Sequence, residues 1–436
     1  MIKKLVLVFI ALVAIQSYGQ EGTASPYSFY GLGTQKLRGT VENRSMGGIG
    51  IFIDSIHVNL RNPASYVTKN IDAWDGESRP VKFAVGGGYS NINLESNNGS
   101  DKAKSTTFDY IAINIPLGKF GFGFGLLPYT AVGYKLESQN SAGDIKNRFR
   151  GEGGVNKAFL GLGYQIAEGL TVGIDAQYNF GNTETSVVEF VYDDDGTLAQ
   201  YQSRENNRAD LSGLNFNLGL SYKKMVTDKL EMITGITYAP ESLLTSKNQQ
   251  SFSTIVANSN NQNESVVNTV DVDLEASGLH ETDLILPSRF SAGLGIGAPR
   301  KWFVGADYLF QNTSNLRTAL PSNTNTTTYE DAATISLGGF FIPDYNALDS
   351  YFKRTVYRAG VRFEKTGLVL NSESVKEFGI SFGVGLPLSG GISNANLGFE
   401  IGKRGTTNNN LIQENFVNLQ LSLSLGDRWF QKRKYN

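Results

Sequence analysis

The chain of 436 residues contains no cysteine and only two histidines, His57 and His280. Without cysteine there is no disulfide framework, no thiolate metal site and no lipid attachment through an N-terminal Cys. Two histidines far apart in sequence give no metal cluster and no His-based catalytic triad, so no metal, cofactor or enzymatic activity is expected. A basic stripe is missing as well: 39 basic residues stand against 41 acidic ones, and nucleic acid is not an expected partner. After residue 19 no apolar run is long enough to cross a bilayer as a helix. Glycine-rich patches such as Gly86-Gly87-Gly88 and Gly151-Glu152-Gly153-Gly154 lack the Lys-Ser/Thr and the helix start of a phosphate cradle. Inside a strand such glycines mark bends or close backbone approach.

The chain is rich instead in 49 glycines, 26 phenylalanines and 20 tyrosines, with a mean hydropathy of −0.22. Many aromatics with a negative mean hydropathy fit strands that face lipid with every second residue and water with the others. Residues 1–19 carry Lys3 and Lys4, an apolar core and a small-residue end, which is the pattern of a secretory signal peptide. A cysteine-free exported chain fits a bacterial envelope.

From residue 81 the side chains alternate with period two, the mark of a strand. Phe120-Gly121-Phe122-Gly123-Phe124-Gly125-Leu126 puts every large residue on one side. Leu419, Leu421, Leu423 and Leu425 form a lipid-facing row, with Asn418, Gln420, Ser422 and Ser424 turned to the lumen. Turn signals divide the stretch into about fourteen strands, with tight joins at every second connection and polar loops between them, as in an outer-membrane barrel with both termini on the periplasmic side. The loops are expected at 96–104, 136–146, 193–198, 248–265, 316–328, 364–374 and 403–412. Several strands, notably 174–192 and 266–286, are longer than a crossing requires. Asp193-Asp194-Asp195-Gly196 reads as a hairpin turn. Trp429 and Phe430 belong at the inner interface, and Lys432-Arg433-Lys434 form a basic tail.

The segment from Ser25 to Tyr66 fits neither a wall strand nor a transmembrane helix. Gly31, Gly33, Gly39, Gly47, Gly48 and Gly50 free its backbone for tight turns, and Pro63 forces Asn62 out of helical space. Such a segment needs walls around it. Tyr30-Gly31-Leu32-Gly33, then Arg44-Ser45-Met46-Gly47-Gly48-Ile49-Gly50, Asp54 and Asn62-Pro63-Ala64-Ser65 together resemble the N-terminal hatch of FadL-type outer-membrane transport proteins. The Asp-Arg-Trp-Phe ending after a Leu/Ser strand is similar to Bacteroidetes-type members of that family.

The resemblance implies an all-β fold, a transmembrane antiparallel barrel with the hatch inside its lumen. The expected order is a signal peptide at 1–19, a hatch at 20–80, a barrel at 81–426 and a periplasmic tail at 427–436. It implies a bacterial outer-membrane location and passage of hydrophobic, fatty-acid-like small molecules. Gly47, Gly48, Gly50, Asn62, Pro63 and Ala64 are then the gate. Pro128, which cannot donate to a ladder, marks with Leu127 and Tyr129 either a lateral wall opening in the third strand or an ordinary bulge. The partners expected are outer-membrane lipid and a hydrophobic ligand. The alternative is a FadL-shaped accessory subunit of a protein secretion or assembly complex, with protein partners.

Overall fold

Alternating side chains satisfy lipid on one face and a polar interior on the other only if the sheet has no free ends, because unpaired backbone is costly in hydrocarbon. The computed structural model meets this demand with a closed antiparallel barrel of 14 wall strands. It describes residues 22–36, 38–67, 80–257, 264–316, 327–388, 392–427 and 429. The signal peptide, Phe430 and the basic tail lie outside the described residues.

In chain order, β1 is Val81–Ser96, β2 Gly99–Leu117 and β3 Phe120–Pro128 continued by Thr130–Gln139. Next come β4 Ile145–Ala167, β5 Leu170–Glu189, β6 Gln202–Met225 and β7 Glu231–Ala239 with Ser242–Ala257. β8 is Glu264–Asp271, Glu281–Leu286 and Arg289–Ala298, β9 Trp302–Gln311 and β10 Thr327–Tyr329 with Ala332–Phe341. β11 Val356–Leu370, β12 Glu373–Pro387, β13 Asn394–Arg404 and β14 Gln413–Asp427 complete the wall. Each strand pairs with the next. Val81 of β1 lies opposite Asp427 of β14, and that ladder closes the cylinder.

The predicted alternation holds across the wall. Phe120, Phe122, Phe124 and Leu126 are exposed to lipid, as are Leu419 and Leu421, whereas Gln420, Ser422 and Ser424 are buried inside. Leu423 departs from its row and is covered.

Two expected loops are instead paired hairpins. β1 and β2 stay paired up to Ser96 opposite Gly99, and β11 and β12, after a register shift between Lys365 and Val369, up to Leu370 opposite Glu373. The 248–257 part of another expected loop is strand, paired to β6 as far as Ile255 opposite Gln202. The 96–104 tip carries almost only polar residues on both faces, so backbone pairing persists there without alternation, whereas Leu368, Leu370 and Ile255 of the other two extensions are buried against apolar neighbours. One expected strand is interrupted: between Asp271 and Glu281 the chain turns, with Asp273 accepting from the backbone N–H groups of Glu275 and Ala276. The result is a wall taller on one side, since β4 has 23 and β6 24 residues, whereas a tilted crossing needs about 9–11.

Candidate functional site

Residues 22–67 lie against the inner wall. Asn62 is extended, at φ −130° and ψ 110°, as its proline neighbour requires. Its Oδ1 accepts from the Ala64 N–H at 3.0 Å and starts the turn Pro63–Tyr66, while its Nδ2 donates to the Leu220 carbonyl at 3.0 Å. This corner rests on glycine. A Cβ on Gly219 would stand 2.1 Å from Asn62 Oδ1, and one on Gly173 would stand 2.4 Å from the Pro63 carbonyl carbon. Ala64 has no accessible surface.

The second predicted cluster sits farther round the wall. A four-residue helix α1, Val41–Arg44, leads into Met46, Gly47 and Gly48. Gly47 takes φ 71°, which a side chain disfavours, and a Cβ there would stand 2.6 Å from the Val361 carbonyl. Its N–H donates to Ser381 Oγ at 2.9 Å. Gly50 differs from the expectation: its φ is not positive. Close approach of Arg61, whose Nε would lie 2.9 Å from a Cβ, explains the glycine instead. The Gly50 N–H donates to Asp307 Oδ2 at 3.0 Å. The structure therefore places Gly47, Gly48 and Gly50 against β9 to β12, and Asn62, Pro63 and Ala64 against β5 and β6, as two separate seats of one hatch.

Buried charge joins the hatch to the wall. Arg38 meets Glu377 of β12 at 2.9 Å, and the same carboxylate meets Arg362 and Arg404 at 2.6 Å each. Glu42 of α1 accepts from Asn396, Ser422 and Ser424. Nearer the tight-turn end, His57 Nδ1 lies 2.6 Å from Asp54 Oδ2, and Lys82 of β1 donates to the carbonyls of Asp54 and His57. Burial alone would raise the Asp54 carboxyl, but His57, Lys82 and backbone N–H groups together hold it well below the usual carboxylate range.

The third strand changes course at Pro128. The β2–β3 ladder ends with Ile111 opposite Leu126, although both strands continue. Beyond it Thr130, Ala131, Val132, Gly133 and Tyr134 are all buried, so the strand has bent inward and lost its alternation. Leu127 and Tyr129 are buried, the latter with Lys157 Nζ 4.3 Å from its ring centroid. The hatch takes up part of the vacated edge: Thr34 pairs with Ala131, Gln35 with Thr130, and the Lys36 N–H donates to the Tyr129 carbonyl at 2.9 Å. Outside this bend lies a recess of ≈ 680 Å³ lined by Phe108, Asp109, Leu126, Pro128, Glu152 and Lys36. Inside lies a smaller pocket of ≈ 130 Å³ lined by Tyr30, Leu32, Tyr129, Leu309 and Tyr329. Thr130 lines both.

Sequence reasoning missed the glycine beds of the wall and the ionic cluster. Gly121 and Gly123 of β3 lie under Tyr66, where a Cβ would stand 2.1 Å from its carbonyl oxygen and 2.6 Å from its ring, respectively. Strictly alternating Phe and Gly was the available signal, because a bare inner face needs something to cover it.

The family model BamG matches the chain over residues 1–436. The chain belongs to the BamG family. Solved structures share the fold of this BamG-family barrel at low identity. The Ralstonia pickettii toluene transporter TbuX superposes with a TM-score of 0.57 at 15% identity, covering 89% of this chain and 98% of that one. The CymD monoaromatic hydrocarbon channel gives 0.56 at 16%, covering 91% and 100%. A Pseudomonas aeruginosa FadL homologue gives 0.55 at 12%, covering 90% and 98%. No curated protein matches the sequence. The chain is thus an outer-membrane barrel of FadL type.

Proposed function

We propose that this barrel works as an accessory subunit of an outer-membrane protein assembly or secretion complex, with another protein as its partner. The observation that carries the reading is the one-sided height of the wall. β4 to β8 continue well past the bilayer as a ribbon of paired strands, tied by Arg148, Arg150 and Arg204 around Glu264. Moving a small molecule needs no such platform; holding a protein does. The locked hatch supports the same reading. Its buried charge pairs stand beside two luminal pockets of ≈ 130 Å³ each. Outer membranes solubilised in mild detergent test it: a stoichiometric protein that co-migrates with the barrel is expected. A barrel that migrates alone with a hydrophobic compound in its lumen overturns the reading.

A second reading is favoured by the Thr130 contact between the inner pocket and the outer recess. In it a small hydrophobic molecule enters from the loop side, rests among Tyr30, Leu32 and Tyr129, and leaves sideways past Leu127 and Pro128 into the membrane. The hatch, seated through Gly47, Gly48, Gly50, Asn62, Pro63 and Ala64, closes the way to the periplasm. The neighbours TbuX and CymD are titled a toluene transporter and a monoaromatic hydrocarbon channel. Pro128→Val restores an N–H to the strand, and this reading expects it to lower uptake of toluene or oleate by whole cells. Unchanged uptake overturns it.

A further inference from the structure

At the seam between β2 and β3 two neighbouring wall strands run on without pairing beyond Ile111 and Leu126. From Tyr110 to Gly99 the edge of β2 that faces β3 has no ladder partner, because its expected partner has bent inward at Pro128. The opposite edge already carries an added strand, the hatch residues Thr34 and Gln35 on Ala131 and Thr130. An edge of this kind exposes a row of N–H and C=O groups and templates pairing with another chain.

The two faces of the seam differ in chemistry. On the lipid side stand Phe108, Ile111 and Leu126, all exposed. On the inner side stand Thr107, Asp109 and Lys36, with Asp109 turned inward to Arg44 at 2.7 Å by a register shift between Gly86 and Gly87. A segment lying along β2 would meet apolar surface with one set of side chains and polar surface with the next.

We propose that the β2 edge from Ser105 to Tyr110 is a strand-addition site, and that its occupant is an extended protein segment with the apolar/polar alternation of a transmembrane β-strand. The occupant pairs its backbone with β2, points its apolar side chains past Phe108 and Leu126 into the lipid, and points its polar ones toward Thr107 and Lys36. The recess of ≈ 680 Å³ provides the space for it. Lys102 and Lys104, exposed farther out on the same strand, discourage pairing there, as charged edge residues do, and confine addition to the membrane-proximal part.

The inference rests on the reading of the chain as a subunit, but the purified barrel tests it alone. The chain has no cysteine, so Thr106→Cys places a single thiol on the edge, and Phe399→Cys places one on β13, whose backbone is paired on both edges. The probe is a synthetic peptide of the sequence Phe416–Leu425, which alternates in the required way, carrying a terminal cysteine in detergent. Disulfide capture at Thr106→Cys at least tenfold above that at Phe399→Cys is expected, with a preference for one peptide end. N-methylation of alternate peptide amides, which removes backbone donors and keeps the side chains, should lower capture at least tenfold. Equal capture at both thiols, indifference to N-methylation, or lipid alone in the recess by native mass spectrometry overturns the proposal. A barrel that co-purifies with a stoichiometric protein yet ignores the peptide overturns strand addition while leaving the subunit reading in place.

Discussion

Arg38 of the hatch reaches Glu377 of β12 at 2.9 Å, and the Glu377 side chain has no accessible surface. Arg362 and Arg404 bind the same carboxylate from β11 and β13. The anion sits at the junction of hatch and wall and is compensated from both. Removing one member of a buried charge set leaves the others uncompensated, at a cost of about 3–5 kcal/mol. Glu377→Ala is therefore expected to release the hatch more than Arg38→Ala, after which Arg362 and Arg404 still hold the carboxylate. Limited proteolysis reads the result: cleavage before residue 67 should rise while the barrel keeps its heat-modifiable gel mobility. Equal resistance in the native protein and in Glu377→Ala sinks the idea of an ionic lock.

The Asn62 corner makes a second demand on the wall. Gly219→Val places atoms where Asn62 Oδ1 now sits, and the rigid Pro63 ring, 2.8 Å from the new Cβ, leaves little room to shift. The strand itself tolerates valine well, since β-branched residues suit a pleated surface. Barrel assembly is expected to survive while the hatch becomes protease-sensitive, a split that a general folding defect does not produce. Loss of both together counts against the seat.

Which parts of this arrangement are legible in one dimension follows from where each signal lives. Leu419 and Leu421 against Gln420 and Ser422 announce a wall strand because lipid and lumen impose opposite chemistries two residues apart. Pro128 announces a break because it lacks an N–H. Gly121 and Gly123 are ambiguous, since glycine marks a bend as readily as a bed, and only Tyr66 lying over them decides. Arg38 and Glu377 are separated by 339 positions, and nothing local connects them. The 96–104 segment reads as a loop because it carries almost no apolar residue on either face, and 364–374 because Gly367 and Asn371-Ser372 bracket a Leu368–Leu370 run too short to announce a strand.

The Asp54–His57 contact gives the hatch a pH dependence of defined sign. The folded-state carboxyl is held below its unfolded value of about 3.9 by His57, Lys82 and backbone donors against the opposing effect of burial. A depressed carboxyl stabilises the fold above the unfolded pKa and loses that contribution as pH falls through the folded one. Asp54→Asn should lower the unfolding temperature of the hatch at pH 7. The difference from the native protein should then shrink as pH is taken below about 4. A constant offset from pH 7 to pH 2 would mean that the residue acts through shape and not through charge.

The tall side of the wall has its own test in Glu264. Its carboxylate faces Arg150 at 3.3 Å, Arg204 at 3.2 Å and Arg148 at 3.9 Å, and its side chain is almost covered. One anion holds together three cations borne on β4 and β6. Exposed pairs contribute little, about 0–1 kcal/mol, but a shared and covered anion keeps like charges from repelling one another. Glu264→Gln keeps the shape and removes the charge, so the ribbon formed by 202–212, 248–257 and 264–271 should loosen. Faster amide exchange is expected there, with no change at the membrane-level strands and a stronger effect at low salt, where screening is weakest. If the ribbon is the protein-binding platform, the same substitution should also reduce the amount of partner recovered with the barrel in mild detergent. Faster exchange with full recovery would place the partner elsewhere on the molecule.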